Sequence, residues 1–577
     1  MKNPQIAKIF NEIADLLELK GENPFRIRAY RRAAMNVEGM PKDLAALSEE
    51  ELTAIPGIGK DLAGKIRHFA ETGRMDLHDE LKKEIPEGLL TILRVPGVGP
   101  KTARMLYEKV NVRSLEELEG LAKEKKLAGL PGIQEKTEEN ILKGILLLKR
   151  VSERFPLGKV LPIARDIVLR LHEAVPSGKY AVAGSIRRWK DTIQDIDVLG
   201  TGKNPDAIMK AFTRLPIVQE VLEHGTTKSS VRTAEGVQVD LRVVEPDSFG
   251  AALQYFTGSK AHNIKLREMA SRRGLKINEY GIFRESDGKK IGGRDEGDVY
   301  SALGLPFVPP ELREDMGEIE AAQEGKLPAL LTLAEIRGDL HVHTNWSDGS
   351  HDLDTIVAAA KEKGYRYIAI TDHSKGLGVA HGLDEKRVRE QINLIDGANR
   401  KLKDFRILKG TEVDIRGDGS MDLPDELLKE LDVVVASIHS GFRQSREQIT
   451  MRLLSAVRNP YVSVIAHPTG RLIGVRDPYE VDMEAVLDEA ARCGAAVEIN
   501  AYPMRLDLND THVKMAKQRG IPIVISTDTH IRSNLDYMEY GVEIARRGWL
   551  ERGDVLNTLG VSTLMERLQR TRKQKRG

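Results

Sequence analysis

The sequence predicts a multidomain protein: an all-α N-terminal quarter, a mixed α/β centre and a C-terminal distorted β/α barrel. Three observations carry this. Residues 1–150 show helical periodicity almost throughout. From about residue 158, β-branched runs (YAVAG, IDVLG, VQVDLRVV) alternate with helical stretches. After Arg337, strand and helix repeat regularly, and each strand ends on a polar side chain before the next helix starts. That is how a β/α barrel presents chemistry at the C-terminal ends of its strands. The 577 residues suffice for roughly three to five domains, each with its own core.

Composition narrows the class. Hydrophobic residues are 41% and charged residues 30%, as in a globular chain. The formal net charge of +1 neither favours nor excludes a nucleic-acid partner, so any basic surface must be local. Six Lys/Arg between Arg567 and Gly577 read as a solvated, frayed tail. One cysteine, Cys493, makes no intrachain disulfide and fits a reducing compartment. There is neither a signal-peptide pattern nor a run of 18 apolar residues, so the expectation is a cytoplasmic protein with no membrane span, and a monomer by default.

A short motif recurs in the N-terminal quarter: IPGIGKDLAGKI from Ile55, VPGVGPKTARML from Val95 and a degenerate LPGIQEKTEENI from Leu130. Gly57, Gly59, Gly97 and Gly99 permit a tight turn, and the next helix begins with unpaired N–H groups. A phosphate placed there meets several donors and the positive end of a helix dipole. This helix-hairpin-helix pattern grips a nucleic-acid backbone without reading bases.

In the centre, AVAGSIRRWKDTIQDIDVLG holds Asp195 and Asp197, which share one strand face. Asp240 alternates with apolar residues on a later strand. Three converging carboxylates repel unless divalent cations neutralise them, and two-metal phosphoryl transfer needs this set. Upstream, Gly184 and Ser185 open a helix near Arg187 and Arg188, a candidate triphosphate cradle.

Here the chain resembles DNA polymerase beta and its family X relatives over residues 1 to about 316, in GSIRR, DID, VDLRV, YFTGSKAHNIKLR and INEYGIF. The resemblance implies a nucleotidyltransferase palm and thumb that extend gapped or primer-template DNA with dNTPs. Asp195, Asp197 and Asp240 would hold two Mg²⁺ or Mn²⁺. Ser185 and Arg188 would meet the triphosphate, and Tyr255, Phe256 and Gly258 the incoming sugar. Asn263 would face the minor groove and Arg267 the template. Two departures stand out. Ile193 and Gln194 replace a Ser-Gly pair, and Gln238 stands where a basic residue near the third carboxylate is familiar, so proton handling at the primer hydroxyl is expected to differ. Residues 1–85 resemble the family's lyase domain: Lys65 aligns with the Schiff-base lysine, and Arg26 and Tyr30 with the 5′-phosphate site. Asp61 replaces a basic residue there, leaving lyase chemistry and plain DNA docking both open.

The C-terminal region reads DLHVHTNWSDGS from Asp339, then TDHS, GTEVDI, SIHSGF, IAHPTG and STDTH. These supply His341, His343, Asp348, His373, Glu412, His439, His467, Asp528 and His530. Nine of the 14 histidines lie beyond residue 337, six of them in these motifs, and such a set suits a polynuclear site. His351, His381 and His512 fit no ligand position. The region resembles the polymerase and histidinol phosphatase (PHP) family with all nine ligand positions filled. Mixed N/O ligands suit two to three ions of Zn²⁺, Mn²⁺ or Fe²⁺. The resemblance implies a Mn²⁺-favoured 3′–5′ exonuclease, with 3′-phosphatase and abasic-site endonuclease activities open. A small-molecule phosphatase and a non-catalytic DNA-end scaffold are the rival readings. The expected domains are 1–85 (lyase-like), 86–150 (helix-hairpin-helix, fingers-like), 151–257 (palm), 258–316 (thumb-like), 317–336 (linker) and 337–577 (PHP).

Overall fold

The computed structural model describes residues 3–38, 44, 47–53, 55, 58–85, 87–93, 95, 97–152 and 154–576. Gly57 lies outside them. The chain divides into two compact units, residues 1–153 and almost all of 154–577.

Among the described residues of the first unit the regular elements are helices, as its periodicity predicts. Helices Asn3–Lys20, Pro24–Glu38 and Lys60–Thr72 bury Phe10, Ile13, Ala34 and Ile66 in one core. Helices Pro100–Val110, Leu115–Lys123 and Glu135–Ser152 bury Ala103, Leu106, Leu118 and Ile141 in a second. Two of the glycine turns each open a helix. Gly59 caps Lys60–Thr72 and Gly99 caps Pro100–Val110, and neither cap offers a side-chain acceptor to the first N–H groups. Gly97 sits at φ +89°, where only glycine is comfortable, and the space around it is open.

The second unit begins with a two-residue pairing of β1 (Phe155–Pro156) and β3 (Thr192–Ile193). A five-stranded sheet follows, in the order β2 (Lys179–Val182), β4 (Asp195–Thr201), β7 (Gln238–Val243), β6 (Lys228–Thr233) and β5 (Val218–His224). The β4–β7 pair is parallel and the others antiparallel. A three-stranded antiparallel sheet, β8 (Leu275–Asn278), β9 (Gly281–Arg284) and β10 (Lys290–Gly292), stands beyond helices Phe249–Thr257 and Lys260–Ser271.

The barrel has seven parallel strands in sequence order: β11 (Gly338–Val342), β12 (Tyr367–Ile370), β13 (Arg406–Asp414), β14 (Val433–Ser437), β15 (Val464–Ile465), β16 (Ala496–Asn500) and β17 (Ile523–Ser526). The parallel bridge between Val342 and Thr529 brings the last strand end to the first, so the sheet nearly closes. Apart from Arg406 and Lys409 of β13, the strands are buried, which is why they read as apolar runs.

Two segments are more ordered than expected. The segment 317–336, expected as a linker, is a packed strap. Its helix Glu318–Gln323 buries Glu318 against His262 at 2.6 Å, and Leu331 donates to the carbonyl of Leu550. The basic tail is not frayed either. It forms helix Val561–Arg576, which buries Leu564 and Leu568 against the barrel. Lys575 donates to the carbonyls of Asn459 and Val462 at 3.2 and 2.8 Å, and Arg576 stacks on Tyr461. The acidic residues of the first segment and the basic residues of the second draw the eye away from apolar anchors and donors whose partners lie elsewhere in the chain.

Candidate active sites

The first site lies in a cleft of about 500 Å³ beside the five-stranded sheet. Asp195 and Asp197 leave one face of β4, and the parallel register sets Asp197 opposite Asp240 of β7. The cleft is lined by every expected nucleotide-binding residue, Gly184, Ser185, Arg188, Tyr255, Phe256, Gly258 and Asn263, together with Asp195, Asp197 and Arg267. Gly184 is obligatory on two counts: its φ is +64°, and a Cβ there would meet the Asp197 carboxylate at 2.3 Å. Tyr255 and Phe256 pack edge to face at 5.2 Å, and Arg242 lies under the Phe256 ring. They are half-buried walls of the cleft rather than core. Asn263 is oriented by its neighbours: it donates to the Tyr255 carbonyl at 2.8 Å and accepts from Gln254 at 2.7 Å.

Electrostatics show what this site would accept. Burial, then the charges of Asp195 and Asp240, push the Asp197 carboxyl up to about 7. Burial and Asp240 raise Asp195 as well. Such a cluster is an unfavourable arrangement that divalent cations would relieve, so the residues fit the implied metal ions.

Sequence reasoning missed Arg154, Lys190 and Lys260, which line the same cleft. It also missed Lys228. Gln238 does bind Asp240, donating to Oδ1 at 2.9 Å, but a cation is present too: Lys228 of neighbouring β6 lies 3.3 Å from Oδ2. The basic neighbour comes from the next strand, a pairing visible only once the β6–β7 register is known.

The second site is the mouth of the barrel. All nine expected ligands converge there. Glu412, at the end of β13, is the hub. Its Oε2 lies 2.8 Å from His373 and 3.4 Å from His341, and its Oε1 lies 3.0 Å from His467 and 3.4 Å from His439. Asp528 reaches His343 at 3.3 Å, while Asp348 lies within 3.5 Å of His373 and 3.4 Å of His530. Among the described residues three sets of ligand atoms are close enough to hold an ion: His343, Asp348, His373 and His530; His341, His343 and Asp528; and His373, Glu412 and His439. His341 Nε2, both ring nitrogens of His343, His373 Nδ1 and Glu412 Oε2 are buried without a well-aligned hydrogen bond, although His373 Nδ1 and Glu412 Oε2 lie only 2.8 Å apart. Buried polar atoms are rarely left unsatisfied, and here the orphans are all candidate ligand atoms, so the site fits metal ions.

An outer layer of residues that sequence reasoning did not name orients these ligands. Glu498 takes His341 Nδ1 at 2.7 Å and the His467 backbone N–H at 2.8 Å. Asp414 accepts from the His439 N–H, and Asn500 donates to Asp528 at 3.0 Å. Asp372 ties down the loop that carries Asp348, accepting from Thr344 N at 2.8 Å and Ser347 Oγ at 2.5 Å. A glutamate inside the apolar run AAVEIN was the available signal for Glu498: at 0% exposure it needs polar partners.

In the N-terminal unit, Lys65 is ion-paired with Asp61. Tyr30 is buried, and burial pushes its hydroxyl up, with Lys65, Asp61 and Arg26 close enough to act on it. The three expected residues therefore cluster, with Asp61 neutralising the lysine.

Comparisons with known proteins match four stretches of the chain. Residues 1–75 match a helix-hairpin-helix domain and 89–145 a SAM-like helix-hairpin-helix tandem. Residues 252–314 match the DNA polymerase beta thumb and 339–501 the PHP domain. The chain is 40% identical to the DNA polymerase/3′-5′ exonuclease PolX of Bacillus subtilis, over 99% of this chain and 100% of that protein. It is 27% identical to DNA polymerase lambda of Rattus norvegicus over 54% of this chain and 56% of the relative. A probable phosphatase of Thermoanaerobacter sp. is 30% identical over 38% of this chain and 90% of its own length. Among the described residues, no helix is long and apolar enough to cross a membrane.

Proposed function

Because the chain belongs to the family X DNA polymerases that carry a C-terminal PHP domain, we propose that it fills short gaps in DNA during repair and trims 3′ ends at a second, separate site. The carrying observation is the pairing of Asp197 opposite Asp240 in a cleft lined by Ser185, Arg188, Tyr255 and Asn263. Asp195, Asp197 and Asp240 would hold Mg²⁺ or Mn²⁺, which supplies activation of the primer hydroxyl and charge relief at the triphosphate. Arg188 and Ser185 bind phosphate oxygens, Tyr255 and Phe256 form the wall against the sugar, and Asn263 is held rigid for the base edge. Lys228 and Gln238 fix both oxygens of Asp240.

In the barrel, the nine ligands would hold two or three ions of Mn²⁺, Zn²⁺ or Fe²⁺, which supply a hydrolytic nucleophile at neutral pH. Glu498 and Asp414 orient the histidines, which fixes ring tautomers. The substrate proposed is the 3′ end of DNA. The B. subtilis relative's name favours it, and the phosphatase relatives make a free phosphate monoester the second reading. Primer extension and 3′ shortening on one-nucleotide-gapped DNA, with and without Mn²⁺, test both: hydrolysis of a monoester with no 3′ shortening would favour the second.

Lys65 is proposed as the amine that attacks an incised abasic site. Its clustering with Arg26 and Tyr30 supports this, while its pairing with Asp61 favours DNA docking alone. Borohydride should trap a protein–DNA adduct that Lys65→Ala loses. Persistence of the adduct in that variant would place the lyase elsewhere.

A further inference from the structure

The barrel surface packed behind the nucleotide cleft carries a guanidinium with no part in either reaction so far. Helix Met538–Arg547 ends on Arg547, whose side chain is only 2% exposed. Arg547 donates to the backbone carbonyl of Arg188, to the Asp510 carboxylate and, at 3.1 Å, to Glu314 Oε1. The same Glu314 oxygen accepts from Arg188 Nε at 3.0 Å. One carboxylate oxygen thus joins a barrel arginine to a cleft arginine. The same helix presents Tyr540 edge-on to Trp189 at 5.8 Å, and Arg471 of the barrel holds Asp191 at 2.9 Å. The run 185–191, which sends Ser185, Arg188 and Lys190 into the cleft, therefore rests on the barrel at three points.

We propose that Arg547 is a positioning residue for the polymerase reaction: through the Arg188 carbonyl and Glu314 it holds the Arg188 guanidinium in place for an incoming nucleoside triphosphate. This rests on the reading of the cleft as the triphosphate site. Arginine has five N–H groups in a rigid plane. In Arg188, Nε is committed to Glu314 and Nη1 to the Thr257 carbonyl, so the plane is set and the Nη2 edge remains for phosphate. Glu314 held by Arg188 alone would move with it and cancel its charge. Shared with Arg547, which Asp510 anchors from the other side, the carboxylate becomes a fixed strut and Arg188 keeps its attraction for phosphate. The barrel is then a wall of the polymerase site as well as a separate enzyme.

Steady-state gap filling by the full-length protein at varied dNTP tests this, with a melting curve for each variant. Arg547→Met should raise the KM for dNTP about tenfold with kcat within about twofold, as expected when a ground-state phosphate contact is misplaced. Arg547→Lys should recover part of the loss. Arg188→Ala should raise KM at least as much, and adding Arg547→Met to it should change little further, because both act through one guanidinium. If Arg547→Met does not fold, Glu314→Gln, which keeps the shape and removes the charge, carries the same expectation. An unchanged KM in Arg547→Met, an additive double variant, or a kcat that falls in step with the melting temperature would overturn the proposal. If Arg188→Ala itself leaves KM unchanged, the cleft reading fails; if only Arg547→Met is silent, the strut fails alone.

Discussion

The palm cleft and the barrel mouth solve the same electrostatic problem in opposite ways. In the cleft, three carboxylates face one another with Lys228 close to Asp240, and burial, then the neighbouring carboxylates, push Asp197 up to about 7. In the mouth, every carboxylate is interleaved with imidazoles; Glu412, though fully buried, is held well below the usual carboxylate range by His373, His439 and His341. The cleft carboxylates line open space, whereas the ligand atoms of the mouth are mostly buried among one another.

The largest expected effect tests the cleft. Asp240→Ala should lower gap filling by roughly two to three orders of magnitude, the scale for losing a preorganised charge-stabilising group, while 3′ shortening continues. Robust extension by this variant would move the metal site elsewhere.

A smaller effect tests the matched character of the mouth. Glu498→Gln removes the charge that orients His341 and should lower 3′ shortening or metal content roughly 10–100-fold. Gap filling should be unaffected. Full metal content and full nuclease rate would mean the outer layer is packing only.

The imbalance in the cleft has a pH signature in metal-free protein. Asp197 is raised from 3.8 to about 7, so the folded state binds the proton more tightly than the unfolded chain. Its contribution to stability is present at low pH and is lost as pH rises toward about 7. Asp197→Asn should therefore raise the melting temperature of metal-free protein at pH 8 by a few degrees. The gain should shrink near pH 5 and in Mg²⁺. A variant less stable than wild type at pH 8 without metal would contradict the imbalance.

Much of both sites was legible because their chemistry is written in spacing. The i, i+2 aspartates must share a strand face, and imidazoles at successive strand ends must meet at a barrel mouth. What stayed hidden depends on register and long-range packing. Lys228 reaches Asp240 only through the β6–β7 pairing, and Glu498 meets His341 from a strand 157 residues away. Arg547 is one of two adjacent arginines at a helix end, and its burial cannot be read from a charged sequence. The strap 317–336 and helix Val561–Arg576 misled for the reverse reason: their charged residues, acidic in one and basic in the other, outweighed apolar anchors that turn out to be buried.

The smallest expected effect concerns the glycine hairpins. The space where a Cβ at Gly99 would lie is empty and its φ is ordinary, so Gly99→Ala should fold normally. A methyl group there would still obstruct a phosphate at the helix start. DNA affinity should drop severalfold for all sequences alike, with a shallower salt dependence. Unchanged affinity would leave the hairpin as a turn between helices.

The most direct test of two separate active sites in one chain is a single reaction. His341→Ala is mixed with 5′-labelled primer on one-nucleotide-gapped DNA, dNTPs and Mn²⁺, and extended and shortened products are counted together. Shortened products should disappear while extension proceeds at the wild-type rate, because the palm carboxylates would hold their own ions. Shortening that persists, or extension that falls with it, would contradict the account.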